Sequence, residues 1–104
     1  MHNVLSMDIK LKGESGASKL LFNYKFHNTA EQTITFDDIY GDNFVTKTID
    51  VSENPDELTN IGFTNTGSDR VYLNSITLHY ADYTISSGYL EYIGNTKTCS
   101  KTLA

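Results

Sequence analysis

LLFNYKFHNTAEQTITF, residues 20–36, decides the fold class. Leu20, Phe22, Tyr24 and Phe26 alternate with Leu21, Asn23, Lys25 and His27. A period of two is that of a half-buried strand, because successive side chains leave the backbone on opposite faces. Asn28-Thr29 then supplies a polar turn, and alternation resumes through Ile34 and Phe36. Strand, short turn, strand predicts an antiparallel pair.

The same period runs outward in both directions. Leu5, Met7, Ile9 and Leu11 alternate with Ser6, Asp8, Lys10 and Lys12, and Gly13 to Gly16 follow as a turn. Further strands are expected at about 32–36, 44–51, 58–64, 70–80, 83–86 and 89–93, between clusters of Asn, Gly, Asp and Ser. Pro55, in SENPDE, marks a mid-chain connection rather than a domain boundary. No segment keeps a helical period over three turns.

An internal echo adds to this. Phe26-His27-Asn28-Thr29 followed by Ile34, Phe36 and Ile39 recurs, at one constant offset, as Phe63-Thr64-Asn65-Thr66 followed by Val71, Leu73 and Ile76. In both copies the last apolar residue falls out of phase, which demands a bulge or turn. The expectation is all-β: one domain over residues 1–104, an antiparallel β-sandwich built from two similar β units packed face to face.

Charge narrows the partners. The net charge is −5 and the pI about 4.9, so there is no basic field to displace counterions from phosphates or to dock on anionic lipid. Neither nucleic-acid binding nor membrane insertion is expected. The stretch MHNVLSMDIKLKG lacks a basic start and a sustained apolar run. That leaves open a cytoplasmic protein or an extracellular one without a visible cleavable signal. Cys99 is the only cysteine, so no intramolecular disulfide can form.

Catalytic patterns are weak. The segment GESG is one residue short of a nucleophile elbow, and Cys99 lies in a polar tail with no His beside it in sequence. His2, His27 and His79 lack zinc-ligand spacing, and His27 and His79 suit surface or edge positions. A non-enzymatic protein is expected. The acidic stretch ITFDDIYGDNFVTKTIDVSENP, residues 34–55, is different. Asp37, Asp38, Asp42 and Asn43 crowd around Tyr40 and Gly41, and hard cations take six to eight such oxygens. Turn chemistry accounts for the same residues, since Asp, Asn and Gly are good turn formers.

Asp38-x-Tyr40-x-Asp42 resembles the metal loop of legume lectins, Ile49-Asp50-Val51 resembles the strand after it, and Ala81-Asp82 is similar to their sugar-binding dipeptide. Length and acidity are similar to the reduced sandwich of small slime-mould hemagglutinins. The resemblance implies calcium at Asp38, Tyr40 and Asp42, and a sugar at Asp82 with Asn43; Tyr83 and Tyr40 are the rings expected to share the sugar site. The family's Asn position holds Asp42 here, with Asn43 one place late. It further implies glycans or glycoproteins as partners, with room for a homo-oligomer. A rival resemblance lies in FTNTGSDRVYLNSITLHYADYTISSG, residues 63–88, which is similar to bacterial immunoglobulin-like surface modules and implies a structural, adhesion or protein-interaction role.

Tyrosine is abundant and tryptophan absent. In LHYADYTISSGYLEY, residues 78–92, Tyr80, Tyr83 and Tyr89 interleave with Asp82, Ser86 and Ser87. Most such rings serve a strand interior; beside oxygen acceptors they also suit the apolar face and hydroxyls of a sugar.

Overall fold

The computed structural model describes residues 3–81, 83–93 and 98–102, with side chains for those up to residue 81 and for Tyr83 and Thr84. Among the described residues there are eight strands: β1 (Val4–Gly13), β2 (Leu20–Phe26), β3 (Gln32–Phe36), β4 (Val45–Asp50), β5 (Leu58–Asn65), β6 (Val71–Tyr80), β7 (Thr84–Ile93) and β8 (Thr98–Thr102). They form two four-stranded sheets, β4-β1-β6-β7 and β3-β2-β5-β8, and each strand pairing is antiparallel.

The alternating residues fill the space between the sheets. Met7, Ile9 and Leu11 of β1 face Leu20, Phe22 and Phe26 of β2 across one shared core, with Phe63, Leu73 and Ile76 beside them. Phe22 and Phe63 are register partners, and their ring centroids lie 5.0 Å apart. Tyr24 meets Phe22 at 5.4 Å and Phe26 edge-on at 5.9 Å, so one aromatic row lines the β3-β2-β5-β8 side of the core. Tilted and edge-on pairs suit the ring quadrupole and add to the burial term.

Burial follows the sequence echo at three of its apolar pairs, while Ile34 is half-buried where Val71 is buried. Phe26 and Phe63, Phe36 and Leu73, and Ile39 and Ile76 are all buried. Connection does not follow it. β2 and β3 form a hairpin within one sheet, whereas β5 and β6 lie in different sheets. The two Asn-Thr pairs differ accordingly. Asn28 takes a left-handed backbone, φ 61°, and Thr29 closes the tight turn through its N–H and hydroxyl to the Phe26 carbonyl, at 3.3 and 3.0 Å. Asn65 is buried: its side-chain amide donates to the Asp69 carbonyl at 2.8 Å and accepts from the Gly67 N–H at 3.0 Å. The phase slips also part ways. The first is absorbed because β3 ends at Phe36, the second by a register shift between Leu73 and Ser75.

Two elements differ from the sequence expectation. Residues 83–86 and 89–93 belong to one strand, β7, whose register against β6 shifts near Gly88. The tail holding Cys99 is a strand, β8, paired to β5. Thr98-Cys99-Ser100-Lys101-Thr102 has no apolar alternation, so only the ladder offered by β5 reveals it.

Buried Phe63 truncated to Ala should cost roughly 3–5 kcal/mol by urea denaturation, and Phe26→Ala a similar amount. A loss below about 0.5 kcal/mol at both positions would contradict this core.

Candidate functional site

Three loops meet at the end of the sandwich where β1 and β5 finish: residues 14–19, 37–44 and 66–70. Ser18, 1% exposed, holds the first to the third. Its hydroxyl donates to the Arg70 carbonyl at 2.7 Å and accepts from the Ser15 N–H at 3.2 Å. Backbone bonds from Glu14 to Arg70, Thr66 to Lys19 and Ser68 to Ala17 complete the seam. Glycine is required at Gly67, where a Cβ would strike the Ala17 carbonyl oxygen. An open groove of about 460 Å³ lies here, lined by Gly16, Ala17, Lys19, Thr66, Gly67 and Ser68.

The acidic loop crosses from β3 to β4 above this seam. Ile39 is buried at its centre, and its carbonyl accepts from the Gly13 N–H at 2.8 Å. Pinning Ile39 inward leaves Asp37, Asp38, Asp42, Asn43 and Tyr40 in solvent, with Tyr40 65% exposed. Phe44 ends the loop over Lys12, whose ammonium sits 4.9 Å from that ring and 5.5 Å from the Tyr72 ring. Both rings are half-buried, and a cation above a solvent-accessible ring gains about 0.5–1 kcal/mol. Among the described residues, no group of three or more His, Cys, Asp or Glu side chains is gathered as a metal would need.

The candidate sugar residues separate into two places. Tyr40 and Asn43 belong to the loop beside Gly13, since Gly13 bridges Tyr40. Tyr83 belongs to the β6–β7 turn, where β6 ends at Tyr80 and Tyr80 pairs with Val4. Val4 and Gly13 are opposite ends of a ten-residue strand, roughly 30 Å apart at a strand's usual rise. The structure does not bring Tyr83 to Tyr40 and Asn43. Asp82 lies outside the described residues. At the Tyr83 end the turn is closed by the Tyr80 N–H to the Tyr83 carbonyl at 2.8 Å. The two rings stack at 4.7 Å and 17°, with Tyr83 41% exposed. Burial first, then the charges of Tyr83 and Glu57, push the Tyr80 hydroxyl above its ordinary pKa.

A polar row on the outer face of β4-β1-β6-β7 was invisible to sequence reasoning. Ser6 and Asp8 of β1, Thr48 and Asp50 of β4, Thr77 and His79 of β6 share this face by register. Thr48 donates its hydroxyl to one Asp8 carboxylate oxygen at 2.6 Å, and His79 Nε2 meets the other at 2.7 Å. Thr84 lies 3.4 Å from His79 Nδ1, extending the row onto β7. In the tautomer whose Nε2–H donates to the carboxylate, Nδ1 faces the Thr84 hydroxyl as an acceptor. Hydroxyl, imidazole and carboxylate thus stand in the order of a nucleophile relay. The Asp8 and His79 side chains are nonetheless 31% and 37% exposed, on an open face. Sequence gave no signal, because Asp8, Thr48 and His79 meet only through strand pairing.

No protein-family model and no curated protein matches the chain. Among solved structures, alpha toxin from Clostridium absonum contains a similar sandwich, with a TM-score of 0.66 at 14% identity. The likeness covers 97% of this chain and 31% of that one, so the chain spans about a third of the toxin's length. At that identity the likeness shows the fold alone.

The bond from Thr48, and next that from His79, hold the Asp8 carboxyl below its ordinary 3.8. A carboxyl lowered on folding adds stability that is complete above 3.8 and fades as pH falls through the lowered value. Asp8→Asn should therefore flatten the loss of stability between about pH 5 and about pH 2. The difference should be roughly 1 kcal/mol or less, given the exposure, read from urea midpoints across that range. Identical acid limbs in the two proteins would mean the row is not formed in solution.

Proposed function

We propose that the chain is a non-enzymatic interaction module, structural or adhesive in role, that meets a macromolecular partner through open strand surfaces. The supporting observation is the face of β4-β1-β6-β7. There Thr48, Asp8, His79 and Thr84 fix one another across four strands while staying accessible, and further along β1 Lys12 sits over the Phe44 and Tyr72 rings. Side chains ordered before binding lose less freedom when a partner arrives. A flat face with polar groups and aromatic rings suits a protein surface better than a small substrate, which favours a concave site.

Glycan recognition is the second reading, favoured by the stacked Tyr80 and Tyr83 rings with Tyr83 outward. The exposed ring offers a sugar's apolar face a platform, and Asp82 next to it in sequence would supply an acceptor. This reading implies an extracellular setting. Calcium at Asp38, Tyr40 and Asp42, and a sugar contact at Asn43, would then act at the other end of β1 as a separate site.

Screening the immobilised chain against a displayed random-peptide library and a glycan array, with and without chelator, distinguishes the two. The interaction module predicts peptide binders, silence across the array and no calcium-dependent rise in Tm. Specific glycan hits would reverse the order of the readings. A calcium site filled about 100-fold above its Kd would add about 2.7 kcal/mol, and Asp38→Asn would abolish that shift.

A further inference from the structure

The sandwich has four edge strands, and three of them carry devices that block pairing. Unpaired edge N–H and C=O groups invite another strand, so proteins blunt them with inward charges, bulges or proline. On β4, Lys47 is the register partner of buried Ile9, which sets a lysine on the core side of that edge. β7 carries Glu91 and a register shift against β6. β8 carries Lys101 within its five residues.

β3 carries none of these. Gln32-Thr33-Ile34-Thr35-Phe36 has no charge, proline or glycine, and its register against β2 runs without a shift. Its β-branched centre favours extended backbone. Gln32, Thr33 and Thr35 are exposed, and Ile34 is half-buried. Charge stands at both ends instead. Glu31 precedes the strand, and Asp37 and Asp38 follow it, all exposed. The side-chain amide of Asn23 donates to Glu31 at 2.8 Å and holds that carboxylate in place.

We propose that the outer edge of β3 docks an extended segment of a partner protein that carries Lys or Arg at both ends of a short uncharged run. The segment adds a strand beside β3 in the β3-β2-β5-β8 sheet. This rests on the interaction-module reading and gives that module's partner its chemistry. A second copy of the chain fits poorly. Antiparallel self-pairing about Ile34 would set Glu31 of each copy opposite Asp37 of the other, and opposed like charges destabilise a strand pair. Basic residues at those positions turn the repulsion into attraction, while the main-chain bonds supply affinity. The acidic stretch after β3 is then part of a docking edge, flagging one end of it.

The test uses the intact chain and two synthetic peptides with the same Thr-Val centre, one flanked by lysines and one by glutamates. Amide chemical shifts report where each binds. The lysine peptide should move the resonances of residues 31–38 and lose affinity as salt rises. The double variant Glu31→Lys with Asp37→Lys, checked for an unchanged Tm, should bind it at least about tenfold more weakly and accept the glutamate peptide. No shift with the lysine peptide, or equal affinity in the variant, overturns the proposal. If the random-peptide library yields peptides that shift residues elsewhere, the module reading survives and the β3 edge does not. Silence from the library removes both. Concentration-dependent sedimentation of the chain alone, with shifts at residues 31–38, would show the occupant to be a second copy and overturn the basic partner.

Discussion

A chain that passes repeatedly between two sheets must lead its backbone past the end of the hydrocarbon core, where some of its peptide groups become buried. Every N–H and C=O buried there without a partner costs as much as a lost hydrogen bond or more. Here β1 leads to the other sheet, β3 returns, and β5 returns again, all at one end of the sandwich. Two small buried polar side chains meet the demand. Ser18 serves Ser15 and Arg70, and Asn65 serves Gly67 and Asp69. The remaining crossing is held by the Gly13 N–H on the Ile39 carbonyl, and a Cβ at Gly13 would approach Ser18 Cβ to 2.5 Å. These three contacts hold the loops at this end of the sandwich.

That constraint explains what sequence could show and what it could not. Alternation in residues 5–12 and 20–26 reports a local property, the side of the backbone each side chain leaves, so strand and core positions were legible. Asn28-Thr29 and Asn65-Thr66 read alike, yet one turns within a sheet and the other ends a strand that crosses. The difference is set by what surrounds Asn65, namely Asp69 and Gly67 folded back onto it. β8 failed to register for a related reason: its pairing with β5 comes from the neighbour's free ladder, not from its own pattern.

The site was less legible than the fold. Asp38, Tyr40, Asp42 and Asn43 are neighbours in sequence, and each is exposed on the loop, but the described residues include no gathered group of three acidic side chains. Tyr83 could be linked to them only by assuming which end of the sandwich its turn occupies, and the β1–β6 register puts it at the other end. The Asp8–His79 pair shows the reverse case. These residues are distant in sequence, unremarkable alone, and joined at 2.7 Å because antiparallel pairing sets one strand above the next.

The edges show where stability and exposure are traded. A lysine on the inward side of β4 must run its stem along the core and return its ammonium to water, a modest loss accepted for closing that edge. The same device at Ile34, the register partner of Phe22, would displace an apolar group from beside the aromatic row of Phe22, Phe63 and Tyr24. Ile34 packs against that row, so the packing itself discourages an inward charge at the centre of β3. The charges are instead placed beyond the strand ends, at Glu31 and Asp37, where they cost the core nothing. An edge guarded only at its ends stays closed to a like-charged copy of itself and open to a strand of the opposite charge pattern. The core contributes to that selectivity, because it disfavours an inward charge at Ile34 and Phe36.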